Sequence, residues 1–340
     1  MDARRVRARP AAGRWVADKR EGAPGRGPEG PGRACPAAYG YGARALAGPA
    51  AFATDTLYVV GGLYGNVEAL ERLLELFEAE PGEKALLFNG DFHWFDVDPA
   101  DFERVTLAAL GHRATRGNVE TEIADAHEGA GCGCGYPEWV DDGVVERSNR
   151  ILARLRETAA RFPALRERMA ALPMHLVAEV GGERVGVVHG DADSLAGWGF
   201  SQEALATREG AARAAAAFDA ANVRVFASSH SCLPVLQAFG SGRLLANNGA
   251  AGMPNFRDDL AGLATRISVR PARSARYGAR AGRLHVDAIA LDYEPARWEA
   301  RFLAQWPEGS DAHVSYLDRI RNGPRFAVTQ ALRTALPAAA

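Results

Sequence analysis

Five short apolar segments each lead into a polar or glycine-rich loop, and this pattern constrains the fold more than any other feature of the sequence. The loops, in chain order, are "GGLYGN" (61–66), "NGDFH" (89–93), "RGNVE" (116–120), "VVHGD" (187–191) and "SSHSCLP" (228–234). Segments with helical periodicity separate the first three predicted strands. A strand–helix–strand–helix–strand order predicts an α/β fold whose binding site lies at the carboxyl ends of the strands. We therefore expect these loops to meet.

The composition is that of a globular protein with a buried core. Hydrophobic residues make up 47% and charged residues 24% of the 340 residues, which are ordinary fractions for a globular domain. No apolar run is long enough to span a bilayer, which argues against an integral membrane protein. The formal net charge of −2 argues against a polycation that coats nucleic acid.

The N-terminal region, residues 1–54, is rich in Arg, Gly, Pro and Ala and holds the basic excess of the chain. We predict a flexible or loosely packed leader. The alternative is a basic arm for an anionic partner, and only through this arm do we expect any contact with nucleic acid. The residues after Arg4 and Arg5 lack the uninterrupted apolar stretch of an export signal, so we expect a cytoplasmic protein.

The remaining chain divides into two predicted parts. Residues 55–293 form the main domain, with a helical insertion at about 121–172. Residues 294–340 form a C-terminal helical extension. The insertion and the extension are the segments that we expect to determine specificity.

The ordered loops resemble the motifs of the calcineurin-like metallophosphoesterase superfamily. Its series is Asp-x-His-Gly-Asn, Gly-Asp, Gly-Asn-(His or Cys)-(Asp or Glu), a Gly-flanked His and Gly-His-x-His-x-Pro. The segment "NNGAAGMPN" (247–255) also resembles the turn that closes the small-phosphodiesterase branch of that family. The resemblance covers about residues 56–290. It implies a four-layer α/β/β/α sandwich of the metallophosphoesterase type.

The resemblance also implies two divalent metal ions that share one bridging carboxylate. The ligands of one ion are all present: Asp91, Asn118, His189 and His230. At the other ion only the bridging Asp91 remains, because Gly62, Tyr64 and Cys232 stand at the other three ligand positions. We therefore predict one tightly bound Mn, Fe or Zn ion and one lost or rebuilt site.

The four predicted ligands also have structural interpretations. Asp91 could cap a turn, and Asn118 after a glycine could be a turn residue. His189 and His230 could be hydrogen-bonded core histidines. Val119 stands where many members of the family keep a catalytic histidine, although the small-phosphodiesterase branch often lacks it.

Five further residues near the motifs are candidates. Tyr64 and Cys232 either pack as ordinary side chains or act as substitute ligands. His93 either lies exposed on its loop or supplies a ligand to the altered site. Asn66 is either a helix N-cap or a residue on the phosphate side. Glu120 matches the acidic end of the third motif and is expected to orient its loop.

The sequence contains four cysteines: Cys35, Cys132, Cys134 and Cys232. Their scattered spacing does not predict a disulfide framework, and it favours a reducing compartment. Cys132 and Cys134 are too close in sequence for an easy disulfide with each other. The alternative for "GCGCG" (131–135) is a redox or metal-binding loop.

These residues leave three hypotheses for function. The first is a metal-dependent hydrolase of a phosphomonoester or phosphodiester, with low activity on simple phosphodiesters because one metal site is altered. The second is a non-catalytic module that uses the same fold to bind a phosphate-bearing small molecule or a protein partner. The third is redox or other chemistry at a mixed metal site of tyrosine, cysteine and histidine.

Overall fold

The structure is a computed structural model that describes residues 30–333, and it contains two β-sheets flanked by helices. The strands are β1 (Phe52–Thr54), β2 (Thr56–Val60), β3 (Lys84–Asn89), β4 (Arg113–Thr115), β5 (His175–Val180), β6 (Glu183–Val188), β7 (Val225–Ser228), β8 (Pro234–Phe239), β9 (Arg243–Asn248), β10 (Gly262–Ser268), β11 (Tyr277–Ala281), β12 (Leu284–Leu291) and β13 (Leu332–Arg333). The α-helices are α1 (Val67–Glu78), α2 (Pro99–Leu110), α3 (Asn118–Ala124), α4 (Asp142–Ala159), α5 (Pro163–Ala170), α6 (Gln202–Leu205), α7 (Arg208–Ala221), α8 (Pro295–Gln305), α9 (Asp311–Asn322) and α10 (Val328–Ala331).

The two sheets have different strand orders. The seven-stranded sheet runs β1-β5-β6-β7-β9-β8-β13, and the six-stranded sheet runs β11-β12-β10-β2-β3-β4. Strands β2, β3 and β4 are parallel, as the alternation of strands and helices predicts. Strands β5 and β6 form the antiparallel hairpin that the glycines between them indicate.

The side chains of the central strands show why the fold has four layers. On β2, Leu57 and Val59 face the core between the sheets, whereas Tyr58 and Val60 face the helices α1, α2, α4, α8 and α9. Successive side chains of a strand point to opposite faces, so a strand that is apolar throughout is covered on both sides. On the other sheet, Phe226 of β7 packs under α7. The predicted α/β/β/α sandwich is therefore confirmed.

The polar loops come together at one edge of the sandwich. The strands β2 and β3 of one sheet and β6 and β7 of the other end there. Asn89 at the end of β3 donates from Nδ2 to the carbonyl of Val188 at the end of β6, at 2.7 Å. The amide N–H of Ser229 donates to the carbonyl of His189 at 3.0 Å. The first contact joins the two sheets, the second joins β6 to β7 within one sheet, and together they place the loops around a single site.

The described part of the predicted leader, residues 30–54, is packed and is not a loose segment. Arg33 donates to the carbonyls of Pro137 and Val140 at 2.7 and 2.6 Å. Tyr39 is buried and donates from its hydroxyl to Glu122 at 2.6 Å, and β1 pairs with β5. The prediction fails here because the contacts come from scattered single residues and from a strand of three residues, and neither forms a periodic pattern in the sequence. Residues 1–29 of the predicted leader lie outside the described residues.

The predicted C-terminal extension forms part of the helical layer. Trp298, Phe302 and Trp306 belong to the same core as the helices that cover the six-stranded sheet. The indole N–H of Trp306 donates to the carbonyl of Phe95 at 2.7 Å. The tail beyond residue 333 lies outside the described residues. No helix between residues 30 and 333 is both long and apolar enough to cross a bilayer.

Candidate metal centre

The four predicted ligands converge at the edge where the loops meet. His189 Nε2 lies 3.3 Å from Asp91 Oδ2, 3.3 Å from Asn118 Oδ1 and 3.2 Å from His230 Nδ1. All four side chains are buried. Donor atoms of Asp91, His189 and His230 lie within 4.8 Å of one another. A single ion between them would therefore meet one carboxylate, one amide oxygen and two imidazole nitrogens.

Backbone carbonyls fix the orientation of both histidine rings. The Nδ1–H of His189 donates to the carbonyl of Asn89 at 2.8 Å, and the Nε2–H of His230 donates to the carbonyl of Cys134 at 3.0 Å. A carbonyl oxygen only accepts, so each of these nitrogens carries the hydrogen. In the neutral rings the lone pairs of His189 Nε2 and His230 Nδ1 then face each other. Such contacts fix the tautomer of metal-binding histidines.

The glycine–cysteine loop, residues 131–135, orients a second ligand. Asn118 donates from Nδ2 to the carbonyl of Cys132 at 3.0 Å, which turns its Oδ1 toward His189. The carbonyl of Cys134 already orients His230. Two of the four donors are therefore held by main-chain oxygens of one short loop. The sequence drew attention to the cysteine side chains of this loop and missed the role of its carbonyl groups.

The same loop contains a disulfide between Cys132 and Cys134. The expectation that these cysteines are too close to pair was wrong. The left-handed backbone of Gly133, with φ of +67°, folds the chain so that the Cα atoms of the two cysteines are 5.4 Å apart, within the range that a disulfide spans. Cys35 and Cys232 are free.

The charges of the cluster favour a cation. Burial lowers the pKa of His189, but the adjacent Asp91 carboxylate outweighs this and raises that pKa above its ordinary value. Burial and the charge of His189 lower the pKa of His230 to about 4. Burial raises the pKa of Asp91, yet the charge of His189 brings it below its ordinary value. The cluster thus contains a carboxylate that favours one positive charge among the four donors, supplied by a proton or a metal ion.

The glycines beside the ligands are required by close packing. A Cβ at Gly90 would collide with the backbone nitrogen of Gly117, and a Cβ at Gly117 would collide with the Asp91 carboxylate. Asp91 itself has a φ of +51° and His230 a φ of +31°, which are uncommon values for residues with side chains. Strained backbone of this kind is often found at functional sites. The close packing holds the ligand loops at a short distance from each other.

Glu120 connects the second and third loops. It is buried, and its Oε2 accepts from the amide N–H groups of Asp91 at 2.7 Å and Gly117 at 2.9 Å. Burial and the Asp91 charge raise the pKa of Glu120. The side chain therefore lies behind the ligand loops and fixes their separation, without pointing into the cluster.

Tyr64 and Cys232 contact each other at the position of the second metal ion that the resemblance implies. The Tyr64 hydroxyl and the Cys232 Sγ form a hydrogen bond of 2.8 Å. A Cβ at Gly62 would lie 2.9 Å from the phenol carbon and oxygen of Tyr64, so the phenol fills the space that a side chain at position 62 would enter. Burial raises the pKa of both groups, which keeps them neutral. Their arrangement is that of a packed, hydrogen-bonded pair.

His93 lies away from this pair. It is buried, and its Nδ1 forms a hydrogen bond with Asp96 Oδ2 at 2.6 Å. Its Nε2 forms a second one with the Thr106 hydroxyl at 3.0 Å, and its ring stacks on Phe102. Since both nitrogens have partners in the core, neither faces the altered site. The expected exposure of His93 was also wrong.

Asn66 is the N-cap of α1. Its Oδ1 accepts from the amide N–H of Ala69 at 2.9 Å, and its Nδ2 donates to the carbonyl of Gly252 at 2.9 Å. Gly252 lies in the 247–255 segment, which closes over the first loop. The side chain therefore performs the structural role that its position before a helix indicates.

Aromatic side chains form a wall beside the predicted ligands, and apart from Tyr64 the sequence did not indicate them as functional residues. A pocket that reaches Asp91, Asn118 and His230 is also lined by Tyr64, Trp94, Tyr136, Trp198 and Tyr316. Tyr136 comes from the predicted insertion and Tyr316 from the predicted extension. These aromatics lie far apart in the sequence, so no motif joins them.

Comparisons with known proteins show the fold. No protein-family model and no curated protein sequence matches this chain. A solved structure of a hypothetical protein from Pyrococcus horikoshii OT3 is similar over 81% of this chain and 100% of that chain, with 18% identity and a TM-score of 0.53. A metallophosphoesterase from Sphaerobacter thermophilus is similar over 79% of this chain and 100% of that chain, with 17% identity and a TM-score of 0.50. The chain thus has the calcineurin-like metallophosphoesterase fold.

Proposed function

We propose that this protein, with its metallophosphoesterase fold, is a phosphoric ester hydrolase that uses a single divalent metal ion. The observation that carries the proposal is the convergence of Asp91, Asn118, His189 and His230, with both histidine lone pairs turned inward by backbone carbonyls. Carboxylate, amide and imidazole donors suit Mn, Fe or Zn. A bound ion would polarise the phosphoryl group and make water a better nucleophile.

The chain itself contributes binding and positioning. Asp91, Asn118, His189 and His230 would hold the ion, and Glu120 keeps their loops at a fixed separation. The aromatic wall excludes water from one side of the pocket. Tyr64 stands at a ligand position of the family's second ion and fills the space beside Gly62, so half of the phosphate clamp of a two-metal enzyme would be missing. We therefore expect slow turnover of simple phosphodiesters.

The same observation supports an alternative, a binding module for a phosphate-bearing small molecule. In that case the metal site would hold a phosphate oxygen without hydrolysis. The third hypothesis, chemistry at a mixed tyrosine, cysteine and histidine site, has less support, because His93 is engaged by Asp96 and Thr106.

Metal content by mass spectrometry tests the proposal first. Protein purified without chelator should contain about one equivalent of metal per chain. Asp91→Ala and His189→Ala should lose it, whereas His112→Ala, at an exposed histidine outside the site, should retain it. Full retention of metal by Asp91→Ala would contradict the site assignment.

Turnover tests the enzymatic part. We expect slow release of p-nitrophenol from bis(p-nitrophenyl) phosphate that stops with chelator and resumes after Mn²⁺ or Zn²⁺ is added. If the metal-loaded protein hydrolyses neither this diester nor p-nitrophenyl phosphate, the binding module is the better description.

A further inference from the structure

The pocket above the metal ligands is largely aromatic. Asp91, Asn118 and His230 form its polar base, and the rings of Trp94, Tyr136, Trp198 and Tyr316 form much of its wall. Flat hydrophobic ligand groups bind well between such rings, since aromatic pairs add to the affinity that burial alone supplies. A substrate whose phosphate reaches the base would place its substituents against this wall.

The rings are held in place before any ligand binds. The indole N–H of Trp198 donates to the carbonyl of Cys134 at 3.0 Å, and its ring lies 5.9 Å from that of Tyr136. The Tyr136 hydroxyl forms a hydrogen bond with Ser148 at 3.1 Å. The ring of Tyr316 packs edge-on against Phe95 with centroids 5.0 Å apart. A preformed wall binds a rigid, flat group with little loss of side-chain freedom.

The same pocket offers little positive charge. Among the described residues that line it, none is lysine or arginine. Arg319 contacts the lining residue Cys232 from behind the pocket lining: its guanidinium donates to the carbonyls of Pro254 at 3.0 Å and Cys232 at 2.8 Å. Val119 lines the pocket and supplies no donor. A dianionic phosphomonoester depends on several cationic or N–H donors, whereas a monoanionic phosphodiester needs fewer.

Resting on the proposed function, we propose that the site is selective for phosphodiesters that carry a flat aromatic substituent, and that Tyr136, Trp198 and Tyr316 determine this selectivity. Hydrolysis would form a bond between the oxygen of water and phosphorus and break the bond to one ester oxygen. One proton of the water passes to the leaving oxygen and the other stays with the new phosphomonoester. The aromatic substituent lies against the wall during this step.

Calorimetric titration of the metal-loaded protein tests the selectivity without requiring turnover. The probes are diphenyl phosphate, diethyl phosphate and phenyl phosphate, which separate the aromatic contribution from the effect of charge. We expect diphenyl phosphate to bind at least about tenfold more tightly than diethyl phosphate and more tightly than phenyl phosphate.

Variants of α9 supply the matched comparison. Tyr316→Leu removes one ring and should reduce the preference for diphenyl over diethyl phosphate, whereas Tyr316→Phe keeps the ring and should keep the preference. Val314→Ala, at an exposed side chain of the same helix, should bind all three probes as the unchanged protein does. Metal content is measured for every variant, so that loss of the ion is not mistaken for loss of selectivity.

The outcomes separate the two proposals. If metal is bound but diphenyl and diethyl phosphate bind equally, or phenyl phosphate binds most tightly, the selectivity proposal is wrong and the metal site stands. If Tyr316→Leu keeps its metal and the full preference, Tyr316 does not determine selectivity and the assignment of the wall is wrong. If no metal binds, the proposed function fails and the selectivity proposal fails with it.

Discussion

In the proposed function, single residues decide how many metal ions this site accepts. The phenol of Tyr64 occupies the space beside Gly62 and binds Cys232 through a 2.8 Å hydrogen bond. This arrangement leaves no room for the side chain that the family pattern has at position 62. Replacement of one ligand would weaken a metal site, but here a ring also fills the space beside Gly62. We therefore expect the second site to be lost for steric as well as chemical reasons.

Restoring the family's residues should restore the second ion. In the triple variant Gly62→Asp, Tyr64→His, Cys232→His, removal of the phenol frees the space and three new donors join Asp91. We expect metal content to rise from about one to about two equivalents per chain, measured by mass spectrometry after loading with Mn²⁺ or Zn²⁺. The single variant Tyr64→Phe keeps the ring and serves as the control, with no rise expected. A triple variant that folds and still holds one ion would contradict the steric explanation.

His93 is a residue whose replacement should affect stability and leave the metal unchanged. His93→Leu removes the partner of the Asp96 carboxylate, which is fully buried. A buried charge left without its partner costs about 3 kcal/mol or more of unfolding free energy. Urea unfolding should show this loss, while mass spectrometry should show the same metal content as the unchanged protein.

The exposed His112 supplies the comparison for that experiment, since His112→Ala removes a histidine without leaving a buried carboxylate. Its unfolding free energy should change far less than that of His93→Leu. Metal loss in His93→Leu with unchanged stability would show that His93 belongs to the site after all.

Sequence patterns placed the four predicted ligands together better than they placed their neighbours. His189 and His230 follow apolar strands that end at the same edge of the sandwich, and the order of the motifs singled them out. Asn66 and His93 lie in two other motif loops, 61–66 and 89–93, but their roles depend on side-chain direction. The Asn66 side chain points to the first turn of α1, which it caps. The His93 ring is oriented by its hydrogen bond with Asp96, three residues further along the chain. A sequence motif does not contain that information.

At the scale of elements, the loop of residues 131–135 links a disulfide to two of the predicted metal ligands. The carbonyls of Cys132 and Cys134 hold Asn118 and His230, and the side chains of the same two cysteines are joined. The residue between the cysteines has to be a glycine, because a Cβ at Gly133 would collide with the Tyr39 hydroxyl. The loop is a structural support of the site.

Thiol titration of the denatured protein tests this pairing. Without reductant, we expect only Cys35 and Cys232 to react, because Cys132 and Cys134 are joined. After reduction all four cysteines should react. The variant Cys132→Ser should show three reactive thiols before reduction, which identifies the partner. Four reactive thiols in the unreduced, unchanged protein would contradict the disulfide.

The helices and strands with a clear hydrophobic pattern in the sequence were predicted, and a strand without such a pattern was missed. The helical stripe of α1 is periodic, and the short apolar run of β2 is followed directly by two glycines, so their types follow from the sequence. Strand β1 has only three residues, and it forms because β5 offers an edge to pair with. A local sequence pattern does not predict a strand that depends on a tertiary contact of this kind.

At the scale of the whole molecule, the segment 30–54 connects layers that are distant in sequence. Tyr39 reaches Glu122 of α3, Arg33 reaches the chain before α4, and β1 extends the seven-stranded sheet. Glu122 is buried and also accepts from Arg156 at 3.0 Å. The segment therefore contributes to the core beside the metal ligands, since α3 begins at Asn118.

Comparison of two truncated chains tests this contribution. A chain of residues 55–340 loses the Tyr39 hydrogen bond to a buried carboxylate, the Arg33 contacts and the β1 pairing, whereas a chain of residues 30–340 keeps them all. We expect the shorter chain to be less stable by several kcal/mol, since a hydrogen bond to a charged group contributes about 1.5–3 kcal/mol and the Arg33 contacts and the β1 pairing are lost with it. Tyr39→Phe in the 30–340 chain removes the hydroxyl only and should account for part of this difference. Equal unfolding free energies in urea for the two chains would show that the segment adds no stability, and then the domain would begin at residue 55 as its strand pattern predicts.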